Sequence, residues 1–425
     1  MPLHSVWELD PGFVNLDRIN IISDLPRLTA AETAARLGVK PESLYAYVSR
    51  GLLSRERDAA GSSFDPLEVE AFARRRRREP SATPATTARD SRAAGTPLMV
   101  LDTRLAHIED DELRYRGRSA ARLAHEQSFE EVVTWLWNVP SLRGPSRDDL
   151  AVARRTIAAL GETASALDRV QIAVTALGAT DPLRDDPDPS QLVRVGARLL
   201  TGLPAALDPD GDAGAIAPTL WRALGGTARP EGVRILDAAL VLVIDHDLAV
   251  STLAARVAAS ARASGYAVVT AALGAFDAPL HGTASRAAVR MLRAVRDGDA
   301  PSAAIARAVR DGGRGIPGFG QALYADGDMR AIVLLDLLRD LPESADVLAA
   351  VDAVADEVAR RAEARPNLDL ALAALTLWAD MPDDAGAVIF AVGRIAGWIT
   401  HALDEYDERP MRLRPRGRYV GPGPE

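Results

Sequence analysis

Two of the six histidines stand in local sequences that could support acid–base or hydrogen-bonding chemistry. His246 lies in a charged cluster, IDHDL at 244–248, that interrupts an apolar run predicted to be helical from near Ile235. His281 follows APL at 278–280 and precedes Gly282, at a predicted helix break where the backbone lets a ligand approach closely. Imidazole titrates near neutral pH and also hydrogen-bonds when neutral, so both histidines are candidate site residues.

Charged and amide groups follow in three later motifs. These are IPGFGQ at 316–321 with DMR at 328–330, PNLD at 366–369, and RIAGW at 394–398. Taken alone, each group has an ordinary explanation. His246 would more often be a structural histidine, Asp369 a helix cap after Asn367, and Arg394 a solvated charge. A functional site is therefore argued from the ordered set.

Composition limits the chemistry. The chain of 425 residues has 48% hydrophobic residues, no cysteine and a formal charge of -9. It is long enough for two or three domains with their own cores, and disulfides, thiolate metal sites and cysteine nucleophiles are excluded. The acidic balance argues against general coating of nucleic acid. We identify no membrane-spanning run and no signal peptide, and therefore expect a cytoplasmic protein.

The N-terminal quarter has its own organisation. Residues 1–27 remain unassigned. Thr29 and Glu32 predict a capped helix ending at Gly38, and Pro41 begins a second helix ending at Gly51. A hairpin at 54–64 and a helix at 66–78 follow, and 79–97 has the composition of a flexible linker. We predict a helix-turn-helix domain at 28–78, followed by a largely helical region.

The ordered motifs resemble the citrate synthase family. Six blocks of the family pattern occur in the same order and spacing: Asp245 to Thr252, Ala278 to Gly282, Pro317 to Arg330, Pro366 to Asp369, Arg394 to His401, and Arg414 to Pro422. The resemblance implies an all-α citrate synthase fold over 98–425, with a small domain at roughly 283–385 inserted in a large one. The N-terminal part resembles the MerR-like, winged helix-turn-helix domain of one subgroup of the family.

The resemblance also implies roles for individual residues. Asp369 matches the catalytic base, and His281 the residue that hydrogen-bonds the thioester oxygen of an acyl-CoA. Oxaloacetate, or a related 2-oxo acid, would be bound by His246, Arg330, Arg394 and Arg414, the last supplied by the second subunit of a homodimer. Backbone at Gly315, Ile316 and Gly318 would hold CoA. No metal and no cofactor beyond the CoA thioester substrate are implied.

Gln321 is the main departure from the family pattern. The family has His at this position, which donates to the ketone oxygen of the oxo acid. A glutamine amide still donates a hydrogen bond but cannot act as a general acid at neutral pH. General acid catalysis typically contributes roughly 10²- to 10⁴-fold, so the departure predicts an intact substrate site with slow turnover.

Two functions remain open from the sequence. The first is an enzyme that condenses acetyl-CoA or propionyl-CoA with oxaloacetate. The second is a weakly active or non-catalytic paralogue with a regulatory, DNA-binding or subunit-partner role, which Gln321 and the N-terminal domain favour. DNA contact would fall to Arg50, Arg74, Arg75, Arg76, Arg77 and Arg78, although a run of arginines at a helix end is equally often only solvated.

Overall fold

The computed structural model describes residues 26–58, 61–78, 100–209, 211–212, 214–227, 229–312, 315–321, 323–362 and 364–421. These residues form eighteen α-helices and two three-stranded antiparallel sheets. The predicted linker at 79–97 and nearly all of the unassigned segment at 1–27 lie outside the described residues. The predicted boundaries at 28–78, 98–425 and 283–385 stay predictions.

The N-terminal unit contains the predicted helices and hairpin. Its elements are β1 (Leu28–Thr29), α1 (Ala30–Leu37), α2 (Pro41–Ser49), β2 (Glu56–Asp58), β3 (Gly61–Phe64) and α3 (Pro66–Arg78). Thr29 and Glu32 form a capping box at the start of α1, and Gly38 ends it with φ of 64°. The sequence did not predict β1, which pairs with β3 and closes the sheet in the order β1-β3-β2.

The larger region begins with a second small sheet that the sequence reasoning missed. It consists of β4 (Ala106–Glu109), β5 (Glu112–Tyr115) and β6 (Arg118–Ser119). Asp110 and Asp111 turn the first hairpin with positive φ values of 51° and 59°. The Asp111 carboxylate accepts hydrogen bonds from the backbone N–H groups of Ala325 and Asp326, both at 2.6 Å. The sheet therefore fixes a loop that lies next to the cavity described below.

Helices make up the rest of the described chain. They are α4 (Ala120–Glu126), α5 (Phe129–Trp137), α6 (Arg147–Ala158), α7 (Ala166–Ala179), α8 (Ser190–Leu207), α9 (Ile216–Ala223), α10 (Pro230–Leu242), α11 (Val250–Ser260), α12 (Gly265–Phe276), α13 (Ala284–Arg296), α14 (Pro301–Gly312), α15 (Met329–Arg339), α16 (Ala345–Ala362), α17 (Leu368–Trp378) and α18 (Ala385–Tyr406). A short 3-10 helix, Pro342–Ser344, precedes α16.

The central helix is α18, which packs against α8, α10, α11 and α12. By length and composition α18 could cross a membrane, contrary to our expectation that the sequence contains no such run. However, 94% of the apolar 18-residue stretch that meets this criterion is buried inside the protein. Gly393 and Gly397 face the end of α10, where a Cβ on Gly397 would clash with the carbonyl oxygen of Ile244. These glycines let the loop that carries His246 lie directly on α18.

Helix α3 belongs to two hydrophobic cores. Its Val69 and Phe72 pack in the small core of the N-terminal unit. Its Leu67 and Ala71, four residues apart and so on one face of the helix, belong to the main core of the larger region. The N-terminal unit is therefore docked on the larger region through α3, which contacts α14 and α16.

Candidate active site

One cavity collects most of the predicted site residues. Its lining includes the two candidate histidines, the candidate base, two of the predicted arginines and the glutamine that differs from the family pattern. These residues are His246, His281, Asp369, Arg330, Arg394 and Gln321. They come from the loops after α10 and α12, the segment before α15, the first turns of α15 and α17, and the middle of α18. The tertiary fold thus joins groups separated by up to about 150 residues.

His246 is a buried, neutral imidazole. It follows the end of α10, and its Nε2 lies 3.0 Å from the hydroxyl of Tyr324. Burial, reinforced by the positive charges of Arg330 and Arg394, holds the pKa of His246 far below its usual range. His246 can therefore offer hydrogen bonds to a polar ligand without adding another positive charge.

His281 lies at the predicted helix break, between α12 and α13, and belongs to a short hydrogen-bond chain. Its Nε2 is 2.7 Å from Ser251 Oγ, which also accepts a hydrogen bond from Trp398 Nε1 at 3.3 Å. The Ser251 hydroxyl has one proton and two acceptor lone pairs, so it can donate to Nε2 while it accepts from Trp398. Burial and Arg394 lower the pKa of His281 to about 4, so its ring is neutral at neutral pH.

Asp369 is a buried carboxyl group in the first turn of α17. Its backbone N–H donates to the side chain of Asn367, the N-cap, at 3.0 Å. Its Oδ1 is buried and has no hydrogen-bond partner among the described residues. Burial raises the pKa of Asp369 to about 7, a rise that Arg330 opposes and Asp328 reinforces. A carboxyl group whose pKa lies near neutral pH is suited to proton transfer.

Two buried arginines make the cavity attractive to an anion. Arg330 pairs with Asp328 through two hydrogen bonds of 2.9 and 2.7 Å, and Asp328 also accepts from Leu368 N–H at 3.0 Å. Arg394 donates through Nε to the Val243 carbonyl at 2.6 Å, but its buried Nη1 has no partner in the part of the chain that the structure describes. Burial lowers the pKa of Arg394 to about 10, so the group stays charged at neutral pH. A buried, charged donor such as Arg394 Nη1 is stabilised by a ligand acceptor such as a carboxylate.

Gln321 and Arg414 occupy different environments. Gln321 is half-buried in the cavity wall, and its Oε1 accepts from Leu323 N–H at 3.4 Å, which leaves its amide N–H groups as donors. Arg414 is exposed and does not line the cavity of its own chain. Its predicted role in the site of a second subunit stays a prediction.

A second cleft adjoins the cavity and shares Asp369 and Leu280 with it. Gly315, Ile316 and Gly318, the predicted CoA-binding residues, line this cleft. So do Arg286 and Arg290, which the sequence reasoning missed although their four-residue spacing puts both on one face of α13. The two cavities thus meet at the candidate base.

The predicted DNA-contacting arginines whose side chains are described make different contacts. Arg50 donates to the Ala46 carbonyl at 2.9 Å, and Arg76 donates to the Leu37 carbonyl at 3.2 Å. Arg75 is exposed, whereas Arg74 contacts the carbonyl of Phe319 in the larger region. The side chains of Arg77 and Arg78 lie outside the described residues. DNA contact by this set stays a prediction, and for Arg74 the structure shows a different contact.

No group of three or more His, Cys, Asp or Glu side chains that could hold a metal ion occurs among the described residues.

Several residues that support the site were not assigned roles from the sequence. Tyr115 belongs to this set, because its hydroxyl donates to the Val241 carbonyl at 3.0 Å beside the loop that carries His246. Asp245, next to His246, is buried and lies 3.0 Å from His401 Nε2. Such contacts span more than 120 residues of sequence, and local patterns do not reveal them.

Comparison with known proteins gives the same family as the ordered motifs. Residues 94–416 match the family model described as citrate synthase, C-terminal domain. The chain is 29% identical to citrate synthase 2 of Bacillus subtilis over 75% of this chain and 92% of that protein. It is 28% identical to 2-methylcitrate synthase 2 of Corynebacterium glutamicum over 74% of this chain and 90% of that protein.

A solved structure supports the fold. Citrate synthase from Thermoplasma acidophilum, determined as a ternary complex with carboxymethyl-coenzyme A and oxaloacetate, superposes with a TM-score of 0.65 at 24% identity. The match covers 77% of this chain and 95% of that one. With the family model spanning about three quarters of the sequence, the chain belongs to the citrate synthase family of condensing transferases.

Proposed function

We propose that the protein condenses an acyl-CoA with oxaloacetate and releases CoA. The observation that carries this proposal is the meeting of the two cavities at Asp369, a buried carboxyl group with one oxygen that has no partner among the described residues. One cavity holds two buried arginines, one of which, Arg394, has a guanidinium nitrogen without a described partner, and is suited to a dicarboxylate. The other is a longer cleft with glycines and two arginines, suited to a nucleotide-bearing thioester.

The first step is removal of a proton from the carbon beside the thioester. Asp369 takes this proton, and His281 donates its Nδ1–H to the thioester oxygen as negative charge develops there. In this proposal the Ser251 hydroxyl donates to Nε2 of His281, which keeps the ring proton on Nδ1. The product of this step is an enol or enolate whose carbon is the nucleophile.

The second step forms the carbon–carbon bond. The nucleophilic carbon attacks the ketone carbon of oxaloacetate, and the ketone electron pair moves to its oxygen. His246, Arg330 and Arg394 hold the oxo acid, and the Gln321 amide hydrogen-bonds the developing alkoxide. Because Gln321 has no acidic proton, water must protonate that oxygen. A second water then attacks the thioester carbon, and CoA leaves as the thiol.

The substrate range follows from the proton that is removed. Acetyl-CoA and propionyl-CoA both carry hydrogens on the carbon beside the thioester, so we propose both as substrates. We further propose that the enzyme acts in the cytoplasm as a homodimer, in which Arg414 of one subunit completes the carboxylate cage of the other.

The test is a steady-state assay of CoA release with acetyl-CoA or propionyl-CoA and oxaloacetate. Asp369→Asn should abolish release, whereas Asp346→Asn, which changes an exposed carboxylate on α16, should leave it unchanged. Release that survives Asp369→Asn would remove the proposed base from the mechanism.

A second candidate function rests on Gln321. A family member without a proton donor at this position could bind both ligands and turn them over very slowly, and serve a regulatory, DNA-binding or subunit-partner role instead. This alternative predicts that oxaloacetate binds, as measured by calorimetry, while no CoA is released. DNA binding through the N-terminal unit would then be weak and steeply salt-dependent.

A further inference from the structure

Arg74 joins the N-terminal unit to the wall of the candidate active site. It lies on α3, 245 residues before its partner, and its Nη2 is 3.4 Å from the carbonyl oxygen of Phe319. Its guanidinium covers the next residue, since a Cβ placed on Gly320 would lie 2.6 Å from Nη2 and 3.0 Å from Nη1. The residue after Gly320 is Gln321.

The contacted segment is also tied to the base. Phe319 forms an isolated antiparallel bridge with Pro366, and Gly320 N–H donates to the Arg365 carbonyl at 2.9 Å. The side chain of Asn367 donates to the Gly320 carbonyl at 3.1 Å, and Asn367 also caps the helix that carries Asp369. A shift of Phe319 and Gly320 would therefore move Gln321 and Asp369 together.

The helix that carries Arg74 is firmly seated. Leu67 and Ala71, seven and three residues before Arg74, are buried in the main core. Asp65, just before α3, forms an ion pair with Arg361 of α16. Arg74 therefore projects from a helix whose position is fixed by the main core and by this ion pair.

We propose that Arg74 is a positioning residue for the segment 316–321. It holds the shared wall of the two cavities in its acyl-CoA-binding conformation and makes the N-terminal unit part of the working active site. The inference rests on the proposed function for its kinetic consequence. Its structural consequence, that Arg74 steadies the backbone of the segment, is independent of the reaction.

The structural test is hydrogen exchange of the full-length protein without ligand. Arg74→Ala should speed exchange of the amides of Gly320 and Asn367 roughly threefold or more, because both amides lie in the pairing that Arg74 covers. Arg75→Ala, which removes an exposed neighbour on the same helix, should leave both unchanged. Equal exchange in the two variants would overturn the inference. So would faster exchange throughout the protein, which would mean a general loss of stability.

The kinetic test separates positioning from folding. Arg74→Ala should raise the KM for acyl-CoA roughly tenfold and lower kcat, because Gln321 and Asp369 shift with the segment. The KM for oxaloacetate should stay nearly unchanged, since His246, Arg330 and Arg394 lie on other elements. Arg74→Lys keeps a charged donor and should recover part of the loss. An acyl-CoA KM equal to that of Arg75→Ala would contradict the role. If the parent protein releases no CoA, the proposed function fails, and the exchange experiment still tests the inference.

Discussion

The hydroxyl of Ser251 lies 2.7 Å from Nε2 of His281 and accepts a hydrogen bond from the indole N–H of Trp398 at 3.3 Å. When this hydroxyl donates its one proton to Nε2, as the proposed mechanism requires, Nδ1 is the nitrogen of His281 that carries the ring proton. A serine on α11 therefore connects a tryptophan on α18 to a histidine on a loop between two other helices.

Ser251→Ala should lower kcat by about tenfold or more and leave oxaloacetate binding unchanged. The variant removes the group that selects the tautomer, so the ring no longer presents Nδ1–H reliably to the thioester oxygen. Ser260→Ala is the matched control, because that serine is buried on the same helix and its hydroxyl donates to the Val257 carbonyl, away from His281. Equal kcat in the two variants would show that the tautomer is not fixed by Ser251.

Gln321→His should raise turnover by at least tenfold, about 1.4 kcal/mol of barrier. A histidine supplies a proton to the ketone oxygen as it becomes negative, and this contribution acts mainly in the transition state. The dissociation constant of oxaloacetate, measured by calorimetry, should change far less. Unchanged turnover in a protein that Asp369→Asn inactivates would show that Gln321 is a competent part of the site.

The pH profile should report the ionisation of Asp369. Burial raises the pKa of this carboxyl group to about 7, and only its ionised form can accept a proton. We expect kcat/KM to rise with pH through about 7 and level off above it. His281, whose pKa is lowered to about 4, stays neutral throughout this window and adds no inflection. A profile that is flat between pH 5 and pH 9 would contradict the assignment.

The same ionisation affects stability. Between the unfolded pKa of about 3.9 and the folded pKa near 7, the native state binds a proton that the unfolded chain has lost, so the free energy of unfolding falls as pH rises. Asp369→Asn removes this dependence and should gain stability relative to the parent between pH 5 and pH 8. Urea titrations at both pH values, with Asp346→Asn as the control, measure the difference.

Gly397→Ala should lower the free energy of unfolding by about 1–3 kcal/mol. The added Cβ would meet the Ile244 carbonyl and push the loop that carries His246 away from α18, so oxaloacetate affinity should fall as well. Gly274→Ala on α12 meets nothing within 4 Å and should be neutral or stabilising by up to about 1 kcal/mol. Similar effects in the two variants would mean that the contact is not tight.

Local signals were sufficient to predict the N-terminal helices, whereas the main site residues were predicted from the resemblance of the ordered motifs to a known family. The capping box at Thr29 and the glycine at 38 define α1 by themselves, and the order of the motifs predicted the residues that line the cavity. The strands β4 to β6 were missed because segments of two to four residues carry too little periodicity to detect. The contacts of Ser251 and Arg74 depend on partners more than 140 residues away, which only the tertiary fold brings together.

The most direct test of the account is CoA release by the purified full-length protein with oxaloacetate and either acetyl-CoA or propionyl-CoA. The account predicts measurable release with the parent protein, at least tenfold faster release with Gln321→His, and none with Asp369→Asn. If neither the parent nor Gln321→His releases CoA while oxaloacetate still binds, the protein is a ligand-binding member of the family and the proposed condensation is wrong.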